Sequence, residues 1–215
     1  KTRQPNFLVL SFDDVTSFTV TTQGALYGEM IEPTPFLFEQ LKQDYLKTFR
    51  EDILKGFRLT LETDERDLVE RLNAIAIWFT QNAMIHYSSP HGLEQFGGAA
   101  WGTRDVCQGP AEFFLATGHF DEVRDILLTV YSHQFIQDGD WPQWFMFDRY
   151  EHIFAHESHA DIIVWPLFLL GVYLEKTEDY RILDETLPYL DREKKRKTNE
   201  REPLIDHVKR QIQTI

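Results

Sequence analysis

Three stretches of the 215-residue chain carry residue types whose spacing suits chemistry. The first reads His91-Gly-Leu-Glu-Gln-Phe-Gly-Gly-Ala-Ala-Trp-Gly-Thr-Arg-Asp-Val-Cys-Gln-Gly-Pro110. Its glycines let the backbone approach a ligand closely. Trp101 offers a flat apolar face, and Arg104 and Asp105 offer donors and acceptors. A sugar requires that mixture, because its CH faces stack on rings and its hydroxyls bond to planar polar groups. The same Arg104–Asp105 pair suits pinning the loop equally well. The second stretch, Asp138-Gly-Asp-Trp-Pro-Gln-Trp-Phe-Met-Phe-Asp148, holds four aromatics in seven residues between acids. That again suits a carbohydrate cleft, although Phe145 and Phe147 also suit a loop that lines a core. The third is His156-Glu-Ser-His-Ala-Asp161, with His152 one turn earlier. Helical zinc sites of the His-Glu-x-x-His type need histidines at i and i+4 with Glu after the first. His156 and His159 are three apart, and His152 and His156 lack that Glu, so no metal is expected. Instead, His159 and Asp161 are expected to face a polar cleft at a helix start, capped by Ser158 or Asp161.

Other chemistries find little support. The sequence has no Gly-x-Ser-x-Gly elbow and no Gly-x-x-x-x-Gly-Lys-Ser/Thr phosphate loop. Cys107 follows the charged pair and is the one candidate thiol nucleophile.

The elements that must position these stretches are mainly helical. Phe7–Phe12 and Ser17–Thr22 read as two strands around Asp13-Asp14, marginal without a larger sheet. Apolar residues from Phe36 to Phe57 follow helical spacing. Leu68, Leu72, Ile75, Trp78 and Phe79 mark a longer helix from Glu62-Thr63-Asp64 to about Tyr87. Residues 90–109, with five glycines, read as loop, Pro110 as a helix start and Gly118 as a C-cap. Two helical hairpins are predicted, one turning at Thr117-Gly118-His119 and one at Thr177-Glu178-Asp179. Each carries an aromatic (Phe120, Tyr180) just after the turn. Such repeats suit an α/α toroid or an ordinary bundle. Lys194-Lys-Arg-Lys197 reads as a solvated loop.

Composition bounds the partners. A formal net charge of −13 and a pI near 5.0 oppose binding to nucleic acid or an anionic membrane. The apolar run Ile162–Leu174 contains Pro166 and is too short to span a bilayer, so it reads as a buried helix pair or kinked helix. One cysteine and no visible leader suit the cytoplasm. The first residue is Lys, so the native N-terminus is expected elsewhere.

The motifs resemble a known family. Gly97-Gly-Ala-Ala-Trp-Gly-Thr-Arg-Asp-Val-Cys-Gln108 is similar to the Gly-Gly-Ala-aromatic-Gly-Phe-Arg-Asp element of cellobiose phosphorylases and their relatives. Asp138-Gly-Asp-Trp-Pro-Gln-Trp-Phe and Ser158-His-Ala-Asp-Ile-Ile-Val-Trp-Pro-Leu resemble the next two elements, and the wording is most like the 1,2-β-oligoglucan branch. Gly109 and Ala160 depart from it. The resemblance implies a mainly α fold: residues 1–30 as terminal strands of a β-sandwich, 31–61 as a helical linker, and 62–215 as part of an (α/α)6 barrel. It implies inverting phosphorolysis of β-1,2-linked gluco-oligosaccharides, with no cofactor and with inorganic phosphate as co-substrate. The alternatives are an inverting hydrolase or other-linkage phosphorylase of that fold, and a non-catalytic carbohydrate-binding protein. The implied substrate-binding set is Arg104, Asp105, Trp101, Gln95, Trp141, Gln143, Trp144, His159 and Asp161. Because phosphate is the nucleophile, one protein acid is needed. In the family that acid lies in a later Gly-Asp-Trp-Asn/Asp-Asp element. Asp138-Gly-Asp-Trp141 looks like it but belongs by order and flanks to the earlier one. No catalytic acid is therefore expected in this chain, with Asp140 the fallback. The chain is expected to be incomplete and inactive alone, and a homodimer is among the expected assemblies.

Overall fold

The structure is a computed structural model that describes residues 9–18, 20, 38–62, 64–88, 100–159 and 161–215. The chain divides into two compact units, residues 1–45 and 46–215. In the first, residues 9–18 form no strand, contrary to expectation for that part of the predicted pair. They bend at Asp13-Asp14, and Phe12 stacks on Phe18 at 4.8 Å. The remainder of the predicted strands lies outside the described residues, apart from Val20. Helix α1 (Phe38–Thr48) follows and runs into a π-helical turn, Phe49–Ile53.

The second unit is mainly helical and centres on a hydrophobic core rich in aromatics. Helix α2 (Arg66–Ser88) matches the predicted span. Thr80 and Ala83 are buried, Met84 and Tyr87 pack on the core, and Tyr87 sits edge-on to Phe114 at 5.6 Å. Residues 90–99 of the predicted loop lie outside the described residues, and in its later part strand β1 (Trp101–Gly102) and helix α3 (Thr103–Cys107) form instead.

Helix α4 (Gly109–Thr117) begins with Pro110, where a missing N–H costs nothing. Gly118 ends it at φ +76°, the left-handed cap that glycine adopts freely. Helix α5 (Phe120–Tyr131) then buries Val123, Ile126, Leu127, Val130 and Tyr131, a stripe at i, i+3, i+4, i+7 and i+8. This is the first predicted hairpin, with its second helix ending at Tyr131 rather than Gln137. Strand β2 (Trp144–Phe145) and helix α6 (Val164–Thr177) complete the site region. α6 is one helix, with Pro166 in its first turn, and buries Pro166, Leu169, Leu170 and Tyr173.

The second predicted helical hairpin is not formed. After Asp179 a 3-10 turn (Tyr180–Asp184) leads into an antiparallel pair, β3 (Thr186–Asp191) and β4 (Arg196–Pro203). Pro188 has no N–H to give a helix interior, and Asp191 Oδ1 accepts the amides of Glu193 and Lys194 to shape the turn. Leu190 donates to Gln134 O at 2.8 Å and accepts from Ile136 N at 3.1 Å, which pins β3 to the chain after α5. Lys194 and Lys195 lie in the hairpin turn, whereas Arg196 and Lys197 open β4, and Lys197 Nζ donates to Ser132 Oγ at 3.1 Å. Helix α7 (Leu204–Thr214), which the sequence reading does not single out, closes the unit on Leu204, His207, Val208 and Gln211. No described helix is long and apolar enough to cross a membrane.

Candidate functional site

The three motif stretches are laced together through backbone. β1 pairs antiparallel with β2, placing Trp101 opposite Phe145 and Gly102 opposite Trp144. Thr103 extends the tie, donating its amide to Gln143 O at 2.9 Å and its hydroxyl to Pro142 O at 2.6 Å. On the other side Ala155 N donates to Trp144 O at 3.0 Å and Met146 N to Ile153 O at 3.2 Å, which draws in the approach to the third stretch.

Side chains complete the junction. Arg104, on the short helix α3, donates from Nη1 to Asp161 Oδ2 at 3.0 Å, with both side chains about half-exposed. Trp165 Nε1 donates to the same oxygen at 3.4 Å. These two bonds, Arg104's the larger, hold the Asp161 carboxyl below its ordinary range. Asp105 is exposed, and Arg104 reaches Asp161 instead of its neighbour. Ser158 Oγ donates to Asp140 Oδ1 at 3.4 Å, and Trp141 N donates to the same oxygen at 2.8 Å. Burial holds the Asp140 carboxyl above its ordinary range, outweighing those bonds. The expected cap is absent: α6 starts without a side-chain cap, because Asp161 is turned to Arg104 and Trp165, and Ser158 to Asp140 and the His159 carbonyl.

The expected aromatic walls are redistributed. Trp141 is fully buried, donates from Nε1 to Val130 O at 2.8 Å and packs edge-on to Tyr131 at 5.5 Å. It is a core residue and no wall. Trp101 is also buried, against Phe145 and Phe147, and its indole N–H has no partner among the described residues. Trp144 and Gln143 are half-buried, and His159 is exposed. Gln95 lies outside the described residues. Phe145 follows its core alternative: it is buried, with His133 stacked on it at 3.8 Å. His133, whose pKa burial lowers to about 3, is a neutral donor to Thr129 O at 2.7 Å. Cys107 is fully buried, and burial pushes its thiol pKa far up, so it is no thiolate nucleophile. Among the described residues no group of three or more His, Cys, Asp or Glu side chains could hold a metal.

Sequence reasoning did not nominate Trp165. Its signal is its closeness to Asp161 across the start of an apolar helix, with Trp165 in the first turn and Asp161 in the turn just before it. It also missed the buried polar cluster behind the site. There Gln134 Nε2 donates to the Gly139 and His207 carbonyls, at 2.9 and 3.1 Å, and fixes the turn before Asp140. Gly139 needs its glycine: φ is +77°, and a Cβ would lie 2.8 Å from Arg210 Cγ.

No family profile matches the sequence. Over 207 residues the chain is 43% identical to a 1,2-beta-oligoglucan phosphorylase of Listeria innocua serovar 6a, a match that covers 96% of this chain. The chain resembles that phosphorylase along nearly its whole length. The phosphorylase likeness therefore takes in all three motif stretches, together with α2 and the β3–β4 hairpin. The chain spans 19% of the phosphorylase's length.

Proposed function

We propose that the whole protein cleaves β-1,2-linked gluco-oligosaccharides by inverting phosphorolysis, giving a glucose 1-phosphate and a shortened oligomer. The observation that carries this reading is the 43% identity over 207 residues to a protein named a 1,2-beta-oligoglucan phosphorylase. The backbone lacing of the three motif stretches, together with the bonds that join Arg104 and Trp165 to Asp161, supports it from the geometry. In this reading a phosphate oxygen attacks the anomeric carbon as the glycosidic bond breaks, and one carboxylic acid protonates the leaving oxygen. Arg104 and the exposed Asp105 hold the hydroxyls of the sugar. Phosphate supplies the nucleophile, so the reaction calls for no cofactor. The barrel of the sequence reading, a cytoplasmic setting and a homodimer belong to the same proposal. Free, buried Cys107 suits a reducing compartment.

In this reading the general acid lies outside these 215 residues and the chain alone is inactive. One observation favours a second assignment: burial keeps Asp140 readier to hold a proton than an ordinary carboxylate. Asp140→Asn in the whole protein separates the two. Loss of turnover with substrate affinity and stability kept would make Asp140 the acid, and retained turnover places the acid elsewhere.

The decisive assay incubates the whole protein with sophorose-type oligomers and phosphate. Glucose 1-phosphate in step with oligomer shortening is expected. Free glucose released without phosphate would sink the phosphorylase reading.

A further inference from the structure

The redistribution of aromatics leaves a question of where a sugar ring would stack. Trp141 is sealed in the core and Trp101 is buried against Phe145 and Phe147, so neither presents a ring face to a ligand, whereas Trp144 and Trp165 are each half-buried. Trp165 is half-buried at the first turn of α6, where it packs partly on the core and donates to the same Asp161 oxygen as Arg104. It is held from three sides. Its N–H is given to Asp161 Oδ2, the oxygen that also takes Arg104 Nη1. Its ring meets half-exposed Phe168 edge-on at 5.9 Å, one turn along the helix. Buried Pro166, next in sequence, fixes the backbone there.

We propose that Trp165 is the stacking wall of the sugar site and that Asp161 is its positioning residue, setting the indole and the Arg104 guanidinium as one unit. The proposal rests on the carbohydrate reading above and names the part of the site that grips the ring. A pyranose presents a patch of C–H bonds on its face and hydroxyls around its edge. The indole takes the face. Arg104 has five N–H donors, and its bond to Asp161 leaves others for hydroxyls at the edge. A carboxylate shared by both groups fixes their separation before a ligand arrives, which lowers the ordering cost of binding.

The test uses the whole protein and β-1,2-gluco-oligosaccharides. Trp165→Ala is expected to raise the oligosaccharide KM at least about tenfold, in the range found for loss of one stacked ring with its hydrogen bond. The KM for phosphate should stay within about twofold, and Trp165→Phe, which keeps a ring, should recover most of the loss. Asp161→Asn should raise the same oligosaccharide KM and leave the phosphate KM alone. Calorimetric titration of wild type and Trp165→Ala with the oligosaccharide gives a readout independent of turnover, and thermal melts of both establish that the variant is folded. Equal oligosaccharide affinity in wild type and both Trp165 variants would overturn the inference while leaving phosphorolysis intact. Binding that is lost in Trp165→Ala, in a protein that shows no phosphate-dependent cleavage, would uphold the inference and sink the phosphorylase reading. A wild type that binds no oligosaccharide overturns both.

Discussion

At the scale of single residues, two tryptophans with similar sequence surroundings differ in burial, Trp141 fully buried and Trp144 half-buried. Trp141 lies between Asp140 and Pro142, and composition alone makes it as good a cleft wall as Trp144. The structure buries it wholly and gives its N–H to a helix carbonyl. A Trp141→Ala exchange is therefore expected to cost about 3–5 kcal/mol of stability, the range for emptying a large aromatic site in a core. Urea titration measures the loss. At a temperature where the variant is still folded, its affinity for oligosaccharide should stay within about twofold of wild type. A stable variant with lost affinity would return Trp141 to the cleft. Arg104 and Asp161 stand out as candidates in the sequence because both lie in polar, glycine- or histidine-rich stretches. Their pairing does not, since 57 residues separate them and the neighbouring Asp105 offers an apparent partner. The burial of Trp141 was equally hidden, because it depends on where α5 passes.

At the scale of elements, helices were read well where punctuation and periodicity agree. α4 and α5 carry Pro110, Gly118 and a regular apolar stripe, and both form. The segment after Asp179 was misread because its apolar residues, Ile182, Leu183, Leu187 and Leu190, also fit a helical stripe. Pro188 is the local signal against a helix, and contacts from Gln134 and Ile136 decide for a strand. Those contacts lie in a buried layer that holds two neutral histidines. His133, behind β2, has its pKa lowered to about 3, chiefly by burial and then by nearby Lys197. His207, beneath the hairpin, is lowered to about 4, again chiefly by burial. Both are neutral when folded, whereas in the unfolded chain they charge below about 6.5. The unfolded state then binds more protons, so stability is full above that value. It falls as pH drops toward about 4 for His207 and about 3 for His133. Each histidine can contribute a slope of at most about 1.4 kcal/mol per pH unit. Denaturant titrations at pH 7, 6 and 5 should show this decline, and His133→Gln should flatten it. An unchanged slope in that variant would mean that His133 is solvated enough to titrate normally.

At the scale of the whole molecule, the surface combines strong negative charge with exposed apolar rows. The sequence points to the run from Ile162 to Leu170 as the face most in need of neighbours. In the structure much of that run is satisfied, since Ile162, Pro166, Leu169 and Leu170 are buried and only Val164 and Phe168 are exposed at about half. The uncovered face is on α2 instead. Leu68, Leu72, Ile75, Trp78 and Phe79 are all exposed, Trp78 and Phe79 at 66% and 65%. The periodicity that identified this helix therefore marks the side that the described residues leave bare, and the opposite side holds the core through Thr80 and Ala83. A row of this kind drives association, while a net charge of −13 opposes it through repulsion that salt screens. The two act in opposite directions with ionic strength, so the isolated 215-residue chain should associate more as salt rises. Light scattering at about 20 mM and about 500 mM salt, where the screening length drops from about 20 Å to about 4 Å, measures this. Replacing Leu72 and Trp78 together by Glu should hold the chain monomeric at both concentrations, because both side chains are exposed and neither fills the core. A wild-type chain that stays monomeric at high salt would show that α2 is covered from within the chain.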